Sequence, residues 1–397
     1  MNMHHPAAQA AFVLSDALNQ ARAESGQAGS FAAQVIQWQQ KHGRHDLPWQ
    51  QSRDAYRVWL SEIMLQQTQV STVIPYYQRF LERFPDVQAL AAAPVEDVMT
   101  CWSGLGYYTR ARNLHRCAQA VVSQHGGVFP ADPAQLQELP GIGRSTAAAI
   151  SGFSYGTRAA ILDGNVKRVF ARVFGIRGYP GSKPVEDQMW QLADALLPPD
   201  QIGAYTQGQM DIGATVCTRS RPRCSDCPLQ SRCVAYAQGA TAELPERKPK
   251  AKSKQKQAIF LVMLHEGRIL LERRPPAGIW GGLLSLPELD GMQPLTEDEA
   301  PDSEDILQTL HQHAQLQTWE QRTGRFGSWR PLPHMEHVFT HFRLQIYPVL
   351  TELSEGPRSV AEGCWQWLPL AEAEAAAVPA PVRTLLQWLL TEQKTLF

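Results

Sequence analysis

The sequence predicts a multidomain protein in which an all-α domain is followed by a smaller α+β domain, and three observations lead to this. The chain has 397 residues, more than one ordinary core requires. Apolar residues recur at helical spacing within residues 31–235 and alternate in strand-like segments within residues 259–397. Between them, residues 236–258 are rich in lysine and poor in large apolar groups, a composition typical of a linker.

The first region contains several predicted helices, preceded by an N-terminal extension of residues 1–30. TVIPYYQRFLERFP predicts a helix that ends before its last proline, and NVKRVFARVFG predicts one that begins near Asn165 and stops at Gly175. DPAQLQEL, then PGIG, then the residues from Arg144 onward predict two helices joined by a tight turn, a helix–hairpin–helix arrangement.

The last region has a different pattern. AIFLVMLHEGRILLERRPP predicts two strands joined at Glu266-Gly267, and HVFTHFRLQIYPVLTEL predicts further strands. PAPVRTLLQWLL predicts a closing amphipathic helix, and residues 290–330 are expected to include a loop and a peripheral helix.

The charge is distributed unevenly along the chain. The overall net charge is −1, but residues 31–235 carry +4, residues 236–258 carry +4 and residues 259–397 carry −8. A basic front half suits a polyanionic partner, and chance variation between two domains is the alternative. The sequence has no apolar run of the ~18 residues that a membrane helix needs, and its N-terminus is a poor secretory signal. We therefore expect a cytoplasmic protein, nucleoid-associated if bacterial.

Four of the seven cysteines are crowded together. Cys217, Cys224, Cys227 and Cys233 follow the spacing C-x6-C-x2-C-x5-C. Four thiolates at this density can hold one tetrahedral metal ion or one iron–sulfur cluster, and they point to a reducing compartment. Zinc ribbons usually pair two CxxC hooks, and the single hook here favours a cluster. The loop TRSRPR beside it carries three arginines that suit a phosphate contact.

Two carboxylic acids have the properties that cleavage of a glycosidic bond requires. Glu62 shares a helical face with Val58 and Trp59, where lost hydration would raise its pKa and suit a proton donor. Asp163 precedes a helix, whose N-terminus would keep it ionised to stabilise an oxocarbenium-like sugar. An edge salt bridge and a simple helix cap are the alternatives for these two residues.

The glycine turn between them suits a phosphate. Gly141 and Gly143 have no side chains, so backbone N–H groups can approach a phosphate oxygen at the start of the second helix. Such a contact holds DNA in register without reading its sequence.

Several long motifs occur in the same order as in a known family. LPGIGRSTAAAI, ILDGNVKRV, WLSEIMLQQTQV, GLGYYTRARNLH and the cysteine spacing resemble the helix–hairpin–helix DNA glycosylases of the endonuclease III superfamily. Within that superfamily the chain is most similar to the MutY-type adenine DNA glycosylases. The resemblance implies that a monomer, without a membrane partner, removes adenine mispaired with 8-oxoguanine or G from double-stranded DNA.

The resemblance also implies roles for individual residues. Glu62 would protonate adenine N7 and later handle water. Asp163 would stabilise the cationic sugar, by its charge or through a transient covalent adduct, and Asn165 would orient the site. Trp49 and Gln207 would line the adenine pocket, although a core aromatic is an equally good interpretation of Trp49.

The remaining implied roles concern DNA and the cofactor. The cysteines would hold a [4Fe–4S] cluster that organises the arginine loop and takes no part in base release. The residues that would enter the base stack on the 8-oxoguanine side are Gln67, Thr68, Leu105 and Tyr107. The other implied DNA contacts would be made to the DNA backbone. The full set of implied DNA contacts is Gln67, Thr68, Leu105, Tyr107, Gly141, Gly143, Ser145 and Lys167.

Ser145 bears on the type of reaction. The lyases of the superfamily carry a lysine at this position, whose amine forms a Schiff base with the abasic sugar, and a serine hydroxyl cannot do so. Lys167 is a candidate substitute nucleophile but lies in another motif. The sequence therefore predicts a monofunctional glycosylase.

The C-terminal domain resembles the MutT-like (Nudix) fold through RRPPAGIWGGLLSLPEL and the strands that follow. The hydrolase motif of that fold needs a run of glutamates to bind magnesium, and LLSLPELDGMQPL has none. The resemblance therefore implies recognition of 8-oxoguanine, by a loop that here reads Phe339, Thr340 and His341.

Two other functions remain open from the sequence. One is an endonuclease III-like glycosylase and lyase acting on oxidised pyrimidines, which Ser145 and the C-terminal domain disfavour. The other is a non-catalytic iron–sulfur protein that binds DNA, which the two carboxylates disfavour.

Overall fold

The computed structural model describes residues 18–19, 23–24, 27, 29–248, 254–275, 278–289, 301–339, 342–354 and 365–395. The described residues fall into two compact units, one within 1–93 and 112–250 and the other within 94–111 and 251–397. Residues 94–111, which the sequence analysis assigned to the helical domain, thus pack with the second unit.

The front half of the chain is helical, as predicted. The segments expected from TVIPYYQRFLERFP, DPAQLQEL, the residues after PGIG, and NVKRVFARVFG all form helices. In chain order the α-helices are α1 (Phe31–His42), α2 (Ala55–Leu65), α3 (Val70–Arg83), α4 (Val87–Ala92), α5 (Val95–Trp102), α6 (Thr109–His125), α7 (Pro133–Glu138), α8 (Arg144–Tyr155), α9 (Gly164–Val173), α10 (Lys183–Ala195), α11 (Ile202–Asp211) and α12 (Val234–Ala237). Among the described residues, 3-10 turns lie at Pro48–Gln50, Cys224–Asp226 and Gln230–Arg232, and a π-helical turn lies at Ile212–Val216.

Helix α9 shows why the sequence folds as it does here. Asp163 is its N-cap and accepts a hydrogen bond of 2.8 Å from the N–H of Val166, which satisfies one of the free donors of the first turn. The apolar residues Val166, Val169 and Phe170 are buried in the core of the first unit. The cap therefore holds the Asp163 carboxylate at the edge of this core.

Helix α11 packs closely on α1 because Gly208 lies at their contact. A Cβ atom at Gly208 would come within 2.7 Å of Val35 Cγ1. The π-helical turn that follows brings Gly213 against α9, where a Cβ atom would be 2.5 Å from the Cβ of Asn165. Both glycines permit a backbone approach that places α11 and the π-helical turn beside the start of α9.

The second unit contains a mixed seven-stranded sheet within its described residues. Strands β3, β2, β1, β6 and β4 follow one another across it, β5 also pairs with β6, and β7 also pairs with β2. Strands β1 and β6 are parallel, and the other pairs are antiparallel. The strands are β1 (Lys254–His265), β2 (Arg268–Arg273), β3 (Leu284–Ser285), β4 (Arg330–Pro331), β5 (Met335–Val338), β6 (Phe342–Glu352) and β7 (Trp365–Pro369).

Helices complete this unit, and the predicted α+β class is confirmed. The predicted hairpin is present, with Glu266 at φ 47° and Gly267 at φ 72° in its turn. Two helices, α13 (Ser303–Gln312) and α14 (Gln315–Thr323), lie within residues 290–330, where one helix was expected. Helices α15 (Leu370–Ala375) and α16 (Ala380–Thr395) follow the last strand.

Residues 254–258 of the segment predicted as a linker belong to strand β1. Strand β1 begins at Lys254, because Lys254–Gln257 pair with Phe342–Gln345 of β6 and extend the ladder into the basic segment. Pairing with a partner distant in the chain outweighs the weak strand propensity of lysine and glutamine. Within the described ranges, no helix is long and apolar enough to cross a membrane.

Candidate active site

Glu62 faces a cavity of about 730 Å³ in the first unit. It lies on α2, whose residues Val58 and Trp59 are buried on the same side, as the predicted apolar stripe requires. Trp49 and Gln207, predicted to line an adenine pocket, line the same cavity. Three residues far apart in sequence are therefore brought together at one site.

The carboxyl group of Glu62 is suited to donate a proton near neutral pH. Burial is the larger cause and the nearby negative charge of Asp163 the smaller one, and together they raise the pKa of Glu62 from 4.5 to about 8. The neutral acid is the dominant form at pH 7. The apolar neighbours of Glu62 in the sequence predicted this direction of the pKa shift.

Asp163 is less easily ionised than the sequence suggested. Burial raises the pKa of its carboxyl group, while hydrogen bonds from Val166 and Asn165 and the charge of Arg168 lower it. The side-chain amide nitrogen of Asn165 donates to Asp163 Oδ2 at 3.2 Å, and Arg168 donates to the side-chain oxygen Oδ1 of Asn165 at 2.8 Å. The helix N-terminus does stabilise the anion, but burial outweighs it in the DNA-free protein.

Trp49 and Gln207 line the cavity from two segments that are distant in the sequence. The Trp49 ring is mostly buried and packs edge-on against Tyr77, with 5.5 Å between the ring centroids. Trp49 is thus both a core aromatic and a wall of the cavity. The Gln207 amide donates to the carboxylate of Asp211 at 2.8 Å.

The predicted hairpin turn is formed as expected between α7 and α8. Gly141 has φ 81°, and a Cβ atom there would lie 2.8 Å from that of Asn113, so this position requires glycine. Gly143 is the N-cap of α8, and no other group lies within 4 Å of where its Cβ would be. The start of α8 is therefore open to a ligand.

Ser145 follows this turn and has a structural partner. Its hydroxyl oxygen accepts a hydrogen bond of 3.0 Å from the N–H of Leu162. Since Leu162 directly precedes Asp163, this bond ties the hairpin to the segment that carries the second carboxylate.

The other predicted DNA contacts of the first unit differ in their surroundings. Gln67 is exposed with φ 58°, a conformation uncommon outside glycine and found at functional sites, and Thr68 beside it is half-buried. The Lys167 ammonium forms an ion pair of 2.6 Å with Glu186, so a phosphate would have to compete with this carboxylate.

Leu105 and Tyr107 lie in the second unit, on the glycine-rich turn before α6. Leu105 is buried, whereas Tyr107 is 49% exposed and has φ 49°. The Arg110 guanidinium donates to the carbonyl of Leu105 at 3.2 Å and lies 5.4 Å from the centroid of the Tyr107 ring. Arg110 thus fixes the turn that presents the tyrosine.

The cysteines gather around one cavity, as predicted. Arg172 contributes to its wall and lies 3.3 Å from the Cys217 sulfur through one guanidinium nitrogen. The pKa of Cys227 is raised to about 11, mainly by burial and to a smaller extent by the other three thiols, against a backbone hydrogen bond from Leu229 that lowers it. Within the described residues, no group of three or more His, Cys, Asp or Glu is placed to hold a single metal ion. The cysteines lining this cavity are Cys217, Cys224, Cys227 and Cys233.

This donor set fits a soft metal cluster. Cys217 is buried and the other three cysteines are half-buried, and four thiolates that face one cavity are a ligand set for a metal centre. Hydrogen bonds to sulfur, such as the one from Arg172, are typical of such sites.

Of the three residues predicted to recognise an oxidised base, Phe339 is described and Thr340 and His341 lie outside the described residues. The Phe339 ring stacks on Phe342 with 4.4 Å between centroids, and it packs against Trp280 at 5.5 Å. Its N–H donates to the Phe342 carbonyl at 2.9 Å. Phe339 therefore lies at the closed base of the turn between β5 and β6.

Sequence reasoning missed two charged residues beside the cavity, Arg44 and Asp211. The Asp211 carboxylate is fully buried and pairs with Arg44 at 2.6 Å. The sequence feature that could have identified Asp211 is its position four residues after Gln207, which places it one helical turn away on the same face.

The helical fold, the hairpin with an open helix start, and an acid of raised pKa in a cavity fit the class of helix–hairpin–helix DNA repair glycosylases. A family model described as "HhH-GPD superfamily base excision DNA repair protein" matches residues 60–195, and one described as "NUDIX domain" matches residues 258–388.

An adenine DNA glycosylase of Buchnera aphidicola subsp. Acyrthosiphon pisum (strain APS) is 34% identical to this chain, covering 90% of the chain and 97% of the relative. That of Mus musculus is 33% identical, covering 90% of the chain and 77% of the relative. The chain belongs to the adenine DNA glycosylase family. A solved thermostable thymine-DNA glycosylase is 28% identical, with a TM-score of 0.48, covering 52% of this chain and 95% of the other.

Proposed function

We propose that this enzyme hydrolyses the N-glycosidic bond of adenine mispaired with 8-oxoguanine or G in duplex DNA. The observation that carries the proposal is Glu62, whose burial raises its pKa to about 8, in a cavity shared with Trp49 and Gln207. An acid that is neutral at physiological pH, in a pocket large enough for a flipped base, is what protonation of a purine leaving group requires.

Glu62 gives its proton to adenine N7, and the bond from N9 to the sugar breaks with its electron pair leaving on the base. The Asp163 carboxylate stabilises the positive charge that develops on the sugar, and Asn165 holds this carboxylate in place. Water then adds to the sugar carbon and returns a proton to Glu62, which leaves an abasic site and free adenine.

DNA would be bound by the hairpin and the exposed turns. The open N-terminus of α8 at Gly141 and Gly143 suits a phosphate oxygen, and Ser145 supports this turn. The Lys167 ammonium would leave its ion pair with Glu186 and bind a phosphate instead. Four further residues would occupy the space that the flipped nucleotide leaves. The residues assigned to the base stack are Gln67, Thr68, Leu105 and Tyr107.

The four cysteines are assigned to a [4Fe–4S] cluster. When bound, the cluster would supply cross-linking of the cysteine loop rather than chemistry on the base. The chain's own part is to hold that loop, through bonds from Arg172 to the carbonyls of Thr218 at 2.7 Å and Arg219 at 3.2 Å. Cysteines that bind a cluster instead of pairing in disulfides suit a reducing, cytoplasmic environment.

The C-terminal unit is assigned to recognition of 8-oxoguanine. Support comes from the match to a Nudix domain in a sequence without the glutamate run that hydrolysis needs, and from the half-buried position of Phe339 directly after β5. Phe339, Thr340 and His341 would form this contact. A Phe339→Ala variant should lower the rate on A opposite 8-oxoguanine more than the rate on A opposite G. Phe326→Ala, which removes a ring packed on Trp329 elsewhere in the unit, is the matched control.

The reaction type is tested with a labelled duplex that carries A opposite 8-oxoguanine. After incubation, half of each sample is treated with alkali, which cleaves abasic sites. Strand cleavage that appears only after alkali supports a monofunctional glycosylase, as Ser145 predicts. Cleavage without alkali, with a product trapped by borohydride, would instead indicate a lyase that uses an amine such as Lys167.

A further inference from the structure

The strongest unassigned feature is the buried carboxylate of Asp211, at the end of α11. Its Oδ1 accepts from the Nε of Arg44 at 2.7 Å and from the amide nitrogen of Gln207 at 2.8 Å. Its Oδ2 accepts from the backbone N–H of Arg44 at 2.8 Å. Because a fully buried charge is stable only when it is completely paired, these three residues behave as one unit.

This arrangement decides which end of the Gln207 amide meets the cavity. An ionised carboxylate only accepts hydrogen bonds, so Gln207 must turn its NH₂ group toward Asp211. The carbonyl oxygen of Gln207 is then the end left for a base in the cavity that Gln207 lines.

A fixed acceptor at this position selects one kind of purine. Adenine carries an amine at carbon 6, which donates a hydrogen bond, whereas hypoxanthine and guanine carry an oxygen there, which only accepts. An oxygen of Gln207 facing this edge would attract the amine and repel the carbonyl.

We propose that Asp211 is a specificity-determining positioning residue that holds Gln207 in the orientation selective for a 6-amino purine, with Arg44 balancing its charge. The proposal rests on the proposed function. It assigns no contact between Asp211 and the base, since the carboxylate is fully buried behind Gln207 and Arg44.

The test compares two duplexes that differ only in the base opposite G, adenine or hypoxanthine. Both bases offer the same N7 to Glu62, so the ratio of their single-turnover release rates reports the contact at carbon 6. In Asp211→Asn the neutral amide can donate or accept, so Gln207 is free to turn over. We expect the adenine-to-hypoxanthine ratio to fall about tenfold relative to the wild type.

A double-mutant cycle separates positioning from a general loss of structure. In the Gln207→Ala background, Asp211→Asn should leave the ratio unchanged, because the residue through which it acts is gone. The matched control is Gln209→Ala, which removes a buried amide of the same helix that donates to the Tyr205 hydroxyl and does not line the cavity. It should keep the wild-type ratio.

Each outcome has a distinct meaning. The inference is overturned if the wild type releases adenine and Asp211→Asn has the same adenine-to-hypoxanthine ratio as the wild type. A ratio that falls equally in both backgrounds also overturns it. If Asp211→Asn does not fold, Asp211→Ser removes the same charge and is measured in its place. A folded wild type that binds the duplex and releases neither base contradicts the proposed function instead.

Discussion

The raised pKa of Glu62 makes a quantitative prediction about pH. If the neutral acid is required, the rate of base release follows the protonated fraction of Glu62. With a pKa of about 8, that fraction is about 0.9 at pH 7 and about 0.1 at pH 9. We expect the rate to change less than about twofold from pH 6 to 7, and to fall about tenfold from pH 7 to 9.

An ordinary glutamic acid would behave very differently. With the usual pKa of 4.5, the protonated fraction and the rate would fall about tenfold for every pH unit from 6 to 9. The assay is a single-turnover measurement of base release with protein in excess, and duplex binding and circular dichroism are checked at each pH. A steady tenfold fall per unit, or a rate that stays flat to pH 9, would refute the assignment.

Three further predictions concern the framework of the site. The pKa of Glu62 is higher in the folded state than in the unfolded state, so ionisation of this residue lowers the stability of the protein as the pH rises from 4.5 to 8. In urea unfolding, Glu62→Gln should therefore stabilise the protein by about 3 to 5 kcal/mol more at pH 9 than at pH 4. Equal effects at both pH values would contradict this. Gly213→Ala should slow base release at least about tenfold without loss of duplex binding, because its Cβ would lie 2.5 Å from that of Asn165; an unchanged rate would show that Asn165 need not stay in place. Ser145→Ala should lower the free energy of unfolding by about 1 kcal/mol, because the N–H of Leu162 loses its acceptor; unchanged stability would mean that this bond contributes nothing.

Local patterns were sufficient for most of the fold. The helical spacing in NVKRVFARVFG predicts α9, and the capping preference of Asp163 predicts where it begins. The Glu266-Gly267 hairpin was equally clear, because its turn requires two left-handed residues. These features depend on neighbours in the sequence, so a single chain reveals them.

The parts that were missed depend on contacts between distant segments. Asp211 lies in a helix that also contains other polar residues, and nothing local shows that Arg44 reaches it across 167 positions. The pKa of Asp163 was predicted from its helix N-terminus alone, whereas the depth of its burial is set by the surrounding helices. The start of β1 at Lys254 likewise follows from pairing with β6.

The central claim is that Glu62 protonates adenine as it leaves. The most direct test quantifies free adenine released from a duplex with A opposite 8-oxoguanine by the wild type and by Glu62→Gln, after showing that both bind the duplex equally. The account predicts one adenine per duplex from the wild type and none from the variant over the same time. Release of adenine by Glu62→Gln at the wild-type rate would contradict it.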